Sequence, residues 1–526
     1  MINFAAELRC KMKKAIFSWL TFLLAGGGLT ADAQDLGRLT DSLAYRAEIQ
    51  TTLGGGDHSP LWLNANRYGL SSVKCNYGYL RGALERPLVA DSTRRWGIGY
   101  GIDLAVASGL TSTLVVQQAF AEARWLKGVL TIGSKEQPME LKNQELSSGS
   151  QTFGINARPV PQVRLSLPDY WTVPNTRNWL ALKGHIAYGM QTDDGWQRDF
   201  TQERRRHTEH ALFHGKAGYL RIGPKNITLE MGLEMACQFG GKSYVTGADG
   251  QMEAVENEGG LKSLWHAFVP GGSGSDEQGS TYQNVDGNQL GSWVVRANYD
   301  ASDWAVGVYL DHYFEDHSSM FMVDYDGYGE GADWNTKKDS RFFLYDFSDM
   351  LLGVEVWLKR VAWLDHIVVE YLHSTYQSGP VYHDHTRYIS GHLGGIDNYY
   401  NHHLYTGWQH WGMVMGNPLY RSPLYNTNGD ISVQNNRTVA WHAGLSGQPL
   451  PPLHYRLLAT YQTGLGTYYN PFIPRRYDLS LLAELSWQWK GGWSVTGGLA
   501  MDRGGLLGDN YGMQLTFVKK GLLGRR

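Results

Sequence analysis

Residues 96–109, WGIGYGIDLAVASG, alternate strictly between large apolar and small side chains. Successive side chains of a β-strand point to opposite faces, so the stretch is predicted to be a strand with one strongly apolar face. The large row consists of Trp96, Ile98, Tyr100, Ile102, Leu104 and Val106. The opposite row holds nothing larger than Asp103 and makes a poor protein core. The apolar row is therefore buried either against another protein layer or against lipid.

The composition of the whole chain favours lipid. The chain has 526 residues and 64 glycines, where an average composition would give about 37. Aromatic residues reach 13% and charged residues only 18%. Such a composition is typical of a β-rich chain that faces two environments. The formal net charge of −3 argues against a nucleic-acid partner, because that binding needs clustered positive charge.

The amino terminus predicts export. Three lysines between positions 11 and 14 precede an apolar run over 15–25 and the sequence Ala31-Asp32-Ala33. We expect residues 1–33 to be a secretory signal peptide, with Met12 as an alternative start, and residues 34–526 to form a single domain. The apolar run is shorter than the roughly 20 residues of a membrane-spanning helix.

Eighteen alternating runs follow in the mature chain, and their connections differ in length. The runs begin near residues 42, 74, 95, 112, 128, 158, 178, 210, 226, 291, 303, 341, 366, 436, 453, 476, 492 and 511. Connections after even-numbered runs are short, whereas the longest loops, near 239–290, 313–340 and 377–435, follow odd-numbered runs. This pattern predicts an all-β fold, a transmembrane antiparallel β-barrel of about eighteen strands with long extracellular loops and short periplasmic turns.

Tryptophans support this orientation, because seven of them lie at or beside the short turns, where a membrane-interface belt is expected. They are Trp96, Trp125, Trp179, Trp304, Trp363, Trp489 and Trp493. The alternative of a large soluble β-sandwich or propeller is disfavoured, since no blade-length repeat is visible. Cys75 and Cys237 are expected to be unpaired, with Cys237 on the lipid-facing row of Leu233 and Met235.

Motifs for catalysis are mostly absent, and we expect a protein that is not an enzyme. A hydrolase would need a serine and a histidine paired at the membrane-facing rim, which the sequence neither shows nor excludes. Histidines cluster in the longest loop, but no spacing supports a metal site, so they are interpreted as polar loop residues. We expect no cofactor and no bound metal.

The longest loop has the residue mixture of a carbohydrate-binding surface. Its aromatic residues alternate with Asn, Asp and His, and sugars offer apolar ring faces for stacking and hydroxyls for hydrogen bonds. The candidate polysaccharide-binding residues are Tyr399, Tyr400, Tyr405, Trp408, Trp411 and Tyr420. The alternative is that these rings pack the loop closed over the lumen. As loop residues, Trp408 and Trp411 are expected to contribute little to barrel stability.

A second loop, over residues 313–340, is acidic. Its candidates Asp324, Asp326 and Asp333 could hold divalent cations that bridge anionic glycans, or they are simply solvated. The sequence leaves both interpretations open.

Several stretches resemble one known family. They are QQAFAEARW, TIGSKEQP, FGINARPVPQVRL, TVAWHAGLSG, LLATYQTGLGTYYNP and AMDRGGLLGDNYGMQLTF. Together they are similar to the capsule-assembly Wzi family of outer-membrane proteins. The resemblance implies an eighteen-stranded barrel in the outer membrane of a Gram-negative cell, acting as a surface lectin that helps to tether capsular polysaccharide.

The functional expectation is therefore an outer-membrane barrel that binds and anchors surface or capsular polysaccharide and assists capsule assembly. Its expected partners are that polysaccharide and outer-membrane lipid, with no nucleic acid. A sugar-conducting porin or transport barrel is the first alternative, and an outer-membrane hydrolase is the second.

Overall fold

The computed structural model describes residues 39–247, 249–269, 287–315, 323–324, 331–333, 336, 341–342, 349–383 and 392–523. Within these residues, eighteen antiparallel strands form one closed sheet. Each strand pairs with its neighbours along the chain, and the last strand pairs with the first, Ala44 opposite Leu522 and Gly55 opposite Tyr511. The predicted β-barrel of about eighteen strands is confirmed.

The first nine barrel strands are β1 (Ala44–Gly55), β2 (Tyr77–Arg86), β3 (Trp96–Ser108), β4 (Leu114–Trp125), β5 (Gly128–Ser134), β6 (Gln162–Thr172), β7 (Leu180–Met190), β8 (Leu212–Ile222) and β9 (Ile227–Phe239). The second nine are β10 (Asn288–Asp300), β11 (Trp304–Glu315), β12 (Met350–Leu358), β13 (His366–His373), β14 (Thr438–Leu450), β15 (Leu453–Gly466), β16 (Pro471–Trp489), β17 (Trp493–Gly504) and β18 (Asn510–Leu522). In the described connections, the α-helices are α1 (Leu61–Asn64), α2 (Trp196–Thr201) and α3 (Leu261–Phe268). None of these helices is long and apolar enough to cross a membrane, and the described chain holds no other candidate.

Most predicted strand starts fall within a few residues of the observed ones. The largest error concerns β12, which was expected near Arg341 and begins at Met350. The residues at the expected start form a two-residue strand, Arg341–Phe342, which pairs with Val323–Asp324 outside the barrel sheet. The local β pattern was therefore real, but it belongs to a loop hairpin.

The alternation in β3 has a direct structural cause. Its large row lies on the outside of the closed sheet, where Ile102 and Val106 are 50% and 58% exposed. Its small row faces the lumen, where a Cβ on Gly101 would lie 2.8 Å from the ring of Phe120 in β4. The small residues thus leave room for large inward side chains of the neighbouring strand. An apolar outer row on a closed sheet is the surface that lipid covers.

The seven tryptophans of the predicted interface belt all lie at the short-turn end and are between 43% and 64% exposed. The rings of Trp96 and Trp125 stack across β3 and β4, with centroids 6.0 Å apart. Amphipathic rings of this kind mark the level of the headgroups. The short-turn end is therefore the periplasmic end of an outer-membrane barrel.

One sequence prediction about the outer wall is wrong. Cys237 shares the outward row of Met235, as expected, but it is fully buried, and it packs in a cluster with Ala267 of α3. The loop after β9 folds back over the outside of the wall, and Lys216 of β8 donates to the backbone carbonyl of Ala267 at 3.3 Å. Cys237 therefore faces protein instead of lipid. Cys75 and Cys237 are not joined in a disulfide, as predicted.

Replacing Ile102 with Arg tests the lipid-facing assignment of β3. A basic residue near the middle of the apolar band is expected to destabilise the folded barrel by about 2–4 kcal/mol. Leu114→Arg is the matched control, because Leu114 is 63% exposed at the outer end of β4, where the cost falls to about 0–1 kcal/mol. The measurement is denaturant titration of folding into lipid vesicles. Equal costs for the two variants would contradict the assignment.

Candidate functional site

The barrel lumen is filled by three segments of the chain itself. These segments, residues 56–76, 135–161 and 397–437, are called the plug. Their apolar side chains form one buried cluster with inward-facing residues of the wall. Plug members of the cluster are Leu61, Trp62, Leu63, Leu146, Trp408, Val414, Leu419 and Tyr425, and wall members are Tyr309, Val368, Ala440, Leu458, Leu482 and Ala500. The plug therefore contacts the wall on several sides of the barrel.

Residues 135–161 are held against β11 by a buried ion pair. The Lys142 ammonium lies 2.7 Å from a carboxylate oxygen of Asp311, and both side chains are essentially inaccessible. The same carboxylate accepts the backbone N–H of Gln151 at 3.0 Å. Removing either partner of such a pair would leave an uncompensated buried charge.

The same segment is held against β13 by Glu370. Its carboxylate accepts the Ser147 hydroxyl at 2.6 Å and the Ser148 backbone N–H at 2.7 Å. A wall residue, Tyr309, donates to the same carboxylate at 2.5 Å. The charge on this wall acid is thus met by donors from both the plug and the wall.

Five of the six candidate aromatic residues are buried in the plug. Tyr399, Tyr400, Tyr405, Trp408 and Tyr420 are at most 3% exposed. The indole N–H of Trp408 donates to the Thr152 carbonyl at 2.9 Å, and the Tyr420 hydroxyl donates to the Gln151 side chain at 2.8 Å. The Tyr399 hydroxyl donates to Asp349 at 2.9 Å. The structure thus brings these rings together as packing between segments 135–161 and 397–437.

Trp411 differs from the other five, because its side chain is partly exposed. The Arg158 guanidinium lies over the Trp411 ring, 4.3 Å from its centroid. Arg158 also donates to Ser112 at 2.9 Å and to Thr111 at 2.8 Å, in the loop between β3 and β4 at the outer end. Burial lowers the pKa of the Arg158 guanidinium to about 10, so the group stays charged at neutral pH. Trp411 therefore lies at the outer rim of the plug.

Of the three acidic candidates, the structure describes only the Asp333 side chain. Asp333 is exposed in a short helical turn, Gly331–Asp333. Asp324 is described through its backbone in the strand Val323–Asp324, and Asp326 lies outside the described residues. No group of three or more His, Cys, Asp or Glu in the described ranges is arranged to hold a metal.

His410, one of the loop histidines, is a buried structural residue. Its Nδ1 lies 2.8 Å from the Arg158 carbonyl oxygen, and its Nε2 lies 2.8 Å from the Thr192 carbonyl oxygen and 3.2 Å from the Thr192 N–H. Burial lowers the pKa of His410 to about 4, so the imidazole is neutral at pH 7. The neutral ring joins segment 397–437 to segment 135–161 and to the chain after β7.

Sequence reasoning missed the part that residues 56–76 and 135–161 play in filling the lumen. The length of the connection after β5, together with its lack of alternation, was the available signal. Nothing in those residues alone shows that they fold inward, because their partners lie far away in the chain. Asn143, for example, donates to Glu355 of β12 at 2.9 Å.

Comparison with known proteins gives structural matches alone. No family model and no curated protein sequence matches the chain. The structure is similar to that of Wzi from Escherichia coli, described as a carbohydrate-binding β-barrel involved in group 1 capsule assembly, at 13% identity and a TM-score of 0.54. The alignment covers 92% of this chain and 86% of that one. The barrel fold implied by the sequence resemblance is confirmed, and at this identity the likeness shows the fold alone.

Two Pseudomonas aeruginosa outer-membrane barrels also align over most of the chain. OccK3 matches at 12% identity and a TM-score of 0.45, covering 93% of this chain and 98% of that one. OprD matches at 10% identity and a TM-score of 0.42, covering 92% and 95%. Scores at this level do not establish a shared architecture.

Replacing Lys142 with Met tests the ion pair between the plug and the wall. The variant leaves Asp311 buried without its cation, and we expect a loss of about 3–5 kcal/mol in the free energy of unfolding. Lys242→Met is the control, because the Lys242–Glu256 pair is largely exposed, and exposed pairs contribute little to stability. Denaturant unfolding in detergent measures both variants. A loss in Lys142→Met no greater than in the control would show that the pair does not hold the plug.

Acidification is expected to loosen the plug through His410. Between pH 6.5 and about 4 the unfolded segment binds a proton that the folded one does not, so the stabilisation is complete above pH 6.5 and is lost as the pH falls. Once the pH is below about 4, the total loss in the free energy of unfolding is on the order of 3 kcal/mol. Hydrogen–deuterium exchange of residues 397–437, corrected for intrinsic rates and compared with β14, should rise between pH 7 and pH 4.5. In His410→Asn this pH-dependent rise should shrink, and an undiminished rise would exclude His410 as its source.

Proposed function

We propose that this protein is a non-enzymatic outer-membrane barrel that binds surface polysaccharide, capsular polysaccharide in particular, at the outer rim of its plug. The observation that carries the proposal is the filled lumen. Buried contacts such as the Lys142–Asp311 pair hold the plug to the wall, so the barrel presents a rigid outer surface in place of an open pore.

The rim has the chemistry that recognises sugars. Trp411 is partly exposed and stacks on Arg158, and a nearby pair, Trp196 and Phe200 of α2, is also partly exposed with ring centroids 5.1 Å apart. Aromatic rings accept the apolar faces of sugar rings, and a guanidinium donates to hydroxyls or carboxylates. The five buried aromatic candidates support this surface from below by fixing the plug that carries Trp411.

The carbohydrate-binding description of the Escherichia coli Wzi barrel supports the same conclusion, since the two chains share their fold. The two alternative functions, a sugar-conducting barrel and a hydrolase, have different structural requirements. A sugar-conducting barrel needs the plug to leave the lumen, and a hydrolase needs a serine and histidine pair at the rim. Bridging of anionic glycans by divalent cations at the acidic loop stays a prediction.

Replacing Trp411 with Ala tests the proposal in a cell that makes the capsule. Loss of the stacking surface is worth on the order of 1 kcal/mol per site, and a polymer that binds many copies amplifies that loss. We expect several-fold more polysaccharide to be released into the medium at unchanged surface abundance of the protein. Trp363→Ala is the matched control, since Trp363 is 64% exposed at the periplasmic end.

Planar-bilayer recording separates the proposal from the conducting alternative. The intact protein is expected to show little conductance. Large, stable channels in the unmodified protein, or wild-type capsule retention by Trp411→Ala, would contradict the proposal.

A further inference from the structure

A cavity lies inside the barrel where the plug meets the wall of β6, β7 and β8. Its volume is about 110 Å³, counted as the space that the centres of water molecules can occupy. One water needs about 10–15 Å³ in this measure, so the cavity has room for a molecule of roughly monosaccharide size. It is lined by the plug residues Phe153 and Trp408 and by inward residues of the wall, including Gln162, Arg164 and His185.

Arg164 gives this cavity a positive charge without a protein partner. It lies on the inner row of β6, between Val163 and Leu165, which are 50% and 59% exposed on the lipid side. Its guanidinium makes no hydrogen bond and no ion pair with any residue that the structure describes. An inward-facing guanidinium without a protein partner is unfavourable, unless a ligand or solvent supplies a hydrogen-bond acceptor for it.

The other charges around the cavity leave an excess of positive charge. Lys135 pairs with Glu122 at 2.7 Å, and Glu140 pairs with Lys183 at 2.5 Å. The second arginine of the lining, Arg158, has hydroxyl partners and the Trp411 ring but no acidic partner among the described residues. The acid in the lining, Glu140, is thus already paired with Lys183, although its charge also acts on Arg164. Neither Arg158 nor Arg164 has an ion-pair partner among the described residues.

The remaining lining supplies a buried polar atom without a hydrogen-bond partner and several ring faces. His185 is 9% exposed, and its Nε2 is buried without a hydrogen-bond partner among the described groups. The Phe153 ring meets the His185 ring edge-on, with centroids 5.4 Å apart. Phe213 and Trp408 stack beside them, with centroids 5.9 Å apart. A ligand that suits these walls has a ring-shaped body and an anionic group.

We propose that this cavity binds a ring-bearing carboxylic acid of monosaccharide size, with its carboxylate on Arg164 and its ring between the plug aromatics and the wall. The guanidinium fork matches a carboxylate with two parallel hydrogen bonds. His185 Nε2 accepts from a hydroxyl of the ligand or, in the other tautomer, donates to it. Arg158 contributes both to the rim and to the cavity lining, but Arg164 and His185 lie on the wall and are not rim residues, so this site and polysaccharide binding at the rim can be tested separately.

Calorimetric titration of the purified barrel in detergent tests the site. The probes are glucuronate, cyclohexanecarboxylate and uncharged glucose. We expect at least one of the two carboxylates to bind, and glucose to bind at least ten-fold more weakly than that carboxylate. Binding of glucuronate alone identifies a sugar acid as the ligand class, and binding of cyclohexanecarboxylate identifies ring-bearing organic acids in general.

The variants assign the binding to Arg164. Arg164→Gln should weaken carboxylate binding at least ten-fold, and Arg164→Lys should retain part of it. Arg221→Gln is the matched control, because Arg221 lies on the inner row of β8 and stacks on Tyr170 without lining the cavity. Heat-modifiable gel migration confirms folding of each variant. Absence of binding by both carboxylates, equal binding of glucose, or unchanged binding by Arg164→Gln would overturn the proposal, whatever the capsule assay of Trp411→Ala shows.

Discussion

The structure depends on one requirement. Acidic side chains that point from the barrel wall into the lumen need ion-pair or hydrogen-bond partners. Asp311, Glu370 and Glu484 lie on three different strands, β11, β13 and β16, and each is met by a group of the plug. Lys142 pairs with Asp311, Ser147 donates to Glu370, and Arg67 lies 2.9 Å from Glu484. Because a buried carboxylate without donors is strongly unfavourable, the wall and the plug stabilise each other. The alternation that places apolar residues on lipid is the same alternation that places these acids inside.

The sequence predicts the wall well because the signal for a strand is local. A period of two can be read within any ten residues, and short turns alternating with long loops set the orientation. The β3 rows and the tryptophan belt follow from that period alone. Where a loop covers the wall, the same reasoning fails. Cys237 continues an outward row correctly, yet α3, more than twenty residues further along the chain, decides that protein covers it.

The candidate site was harder to predict, because one residue mixture suits two environments. Aromatic rings among amides and hydroxyls bind sugars at a surface, and they also fill an interior where every polar group needs a partner. Trp408 and Trp411 are three positions apart, yet one is 1% exposed and the other lies at the rim. The difference comes from Thr152 and Arg158, which lie some 250 residues earlier in the chain. Trp408 is therefore a buried residue and not an exposed loop residue, so the expectation that it contributes little to stability loses its premise.

A plug built from separate segments cannot satisfy every group along its boundary with the wall. The buried polar atoms without partners in the described structure include His185 Nε2, Glu234 Oε2 and Asp311 Oδ1, all on inward rows beside the plug. Close packing elsewhere, as around Leu63 and Leu146, makes these positions stand out, because a rigid interior cannot relax to close them. Polar atoms left over at such a boundary are what a small ligand can use. A barrel whose lumen is occupied by a plug can therefore still have room for a small ligand inside it.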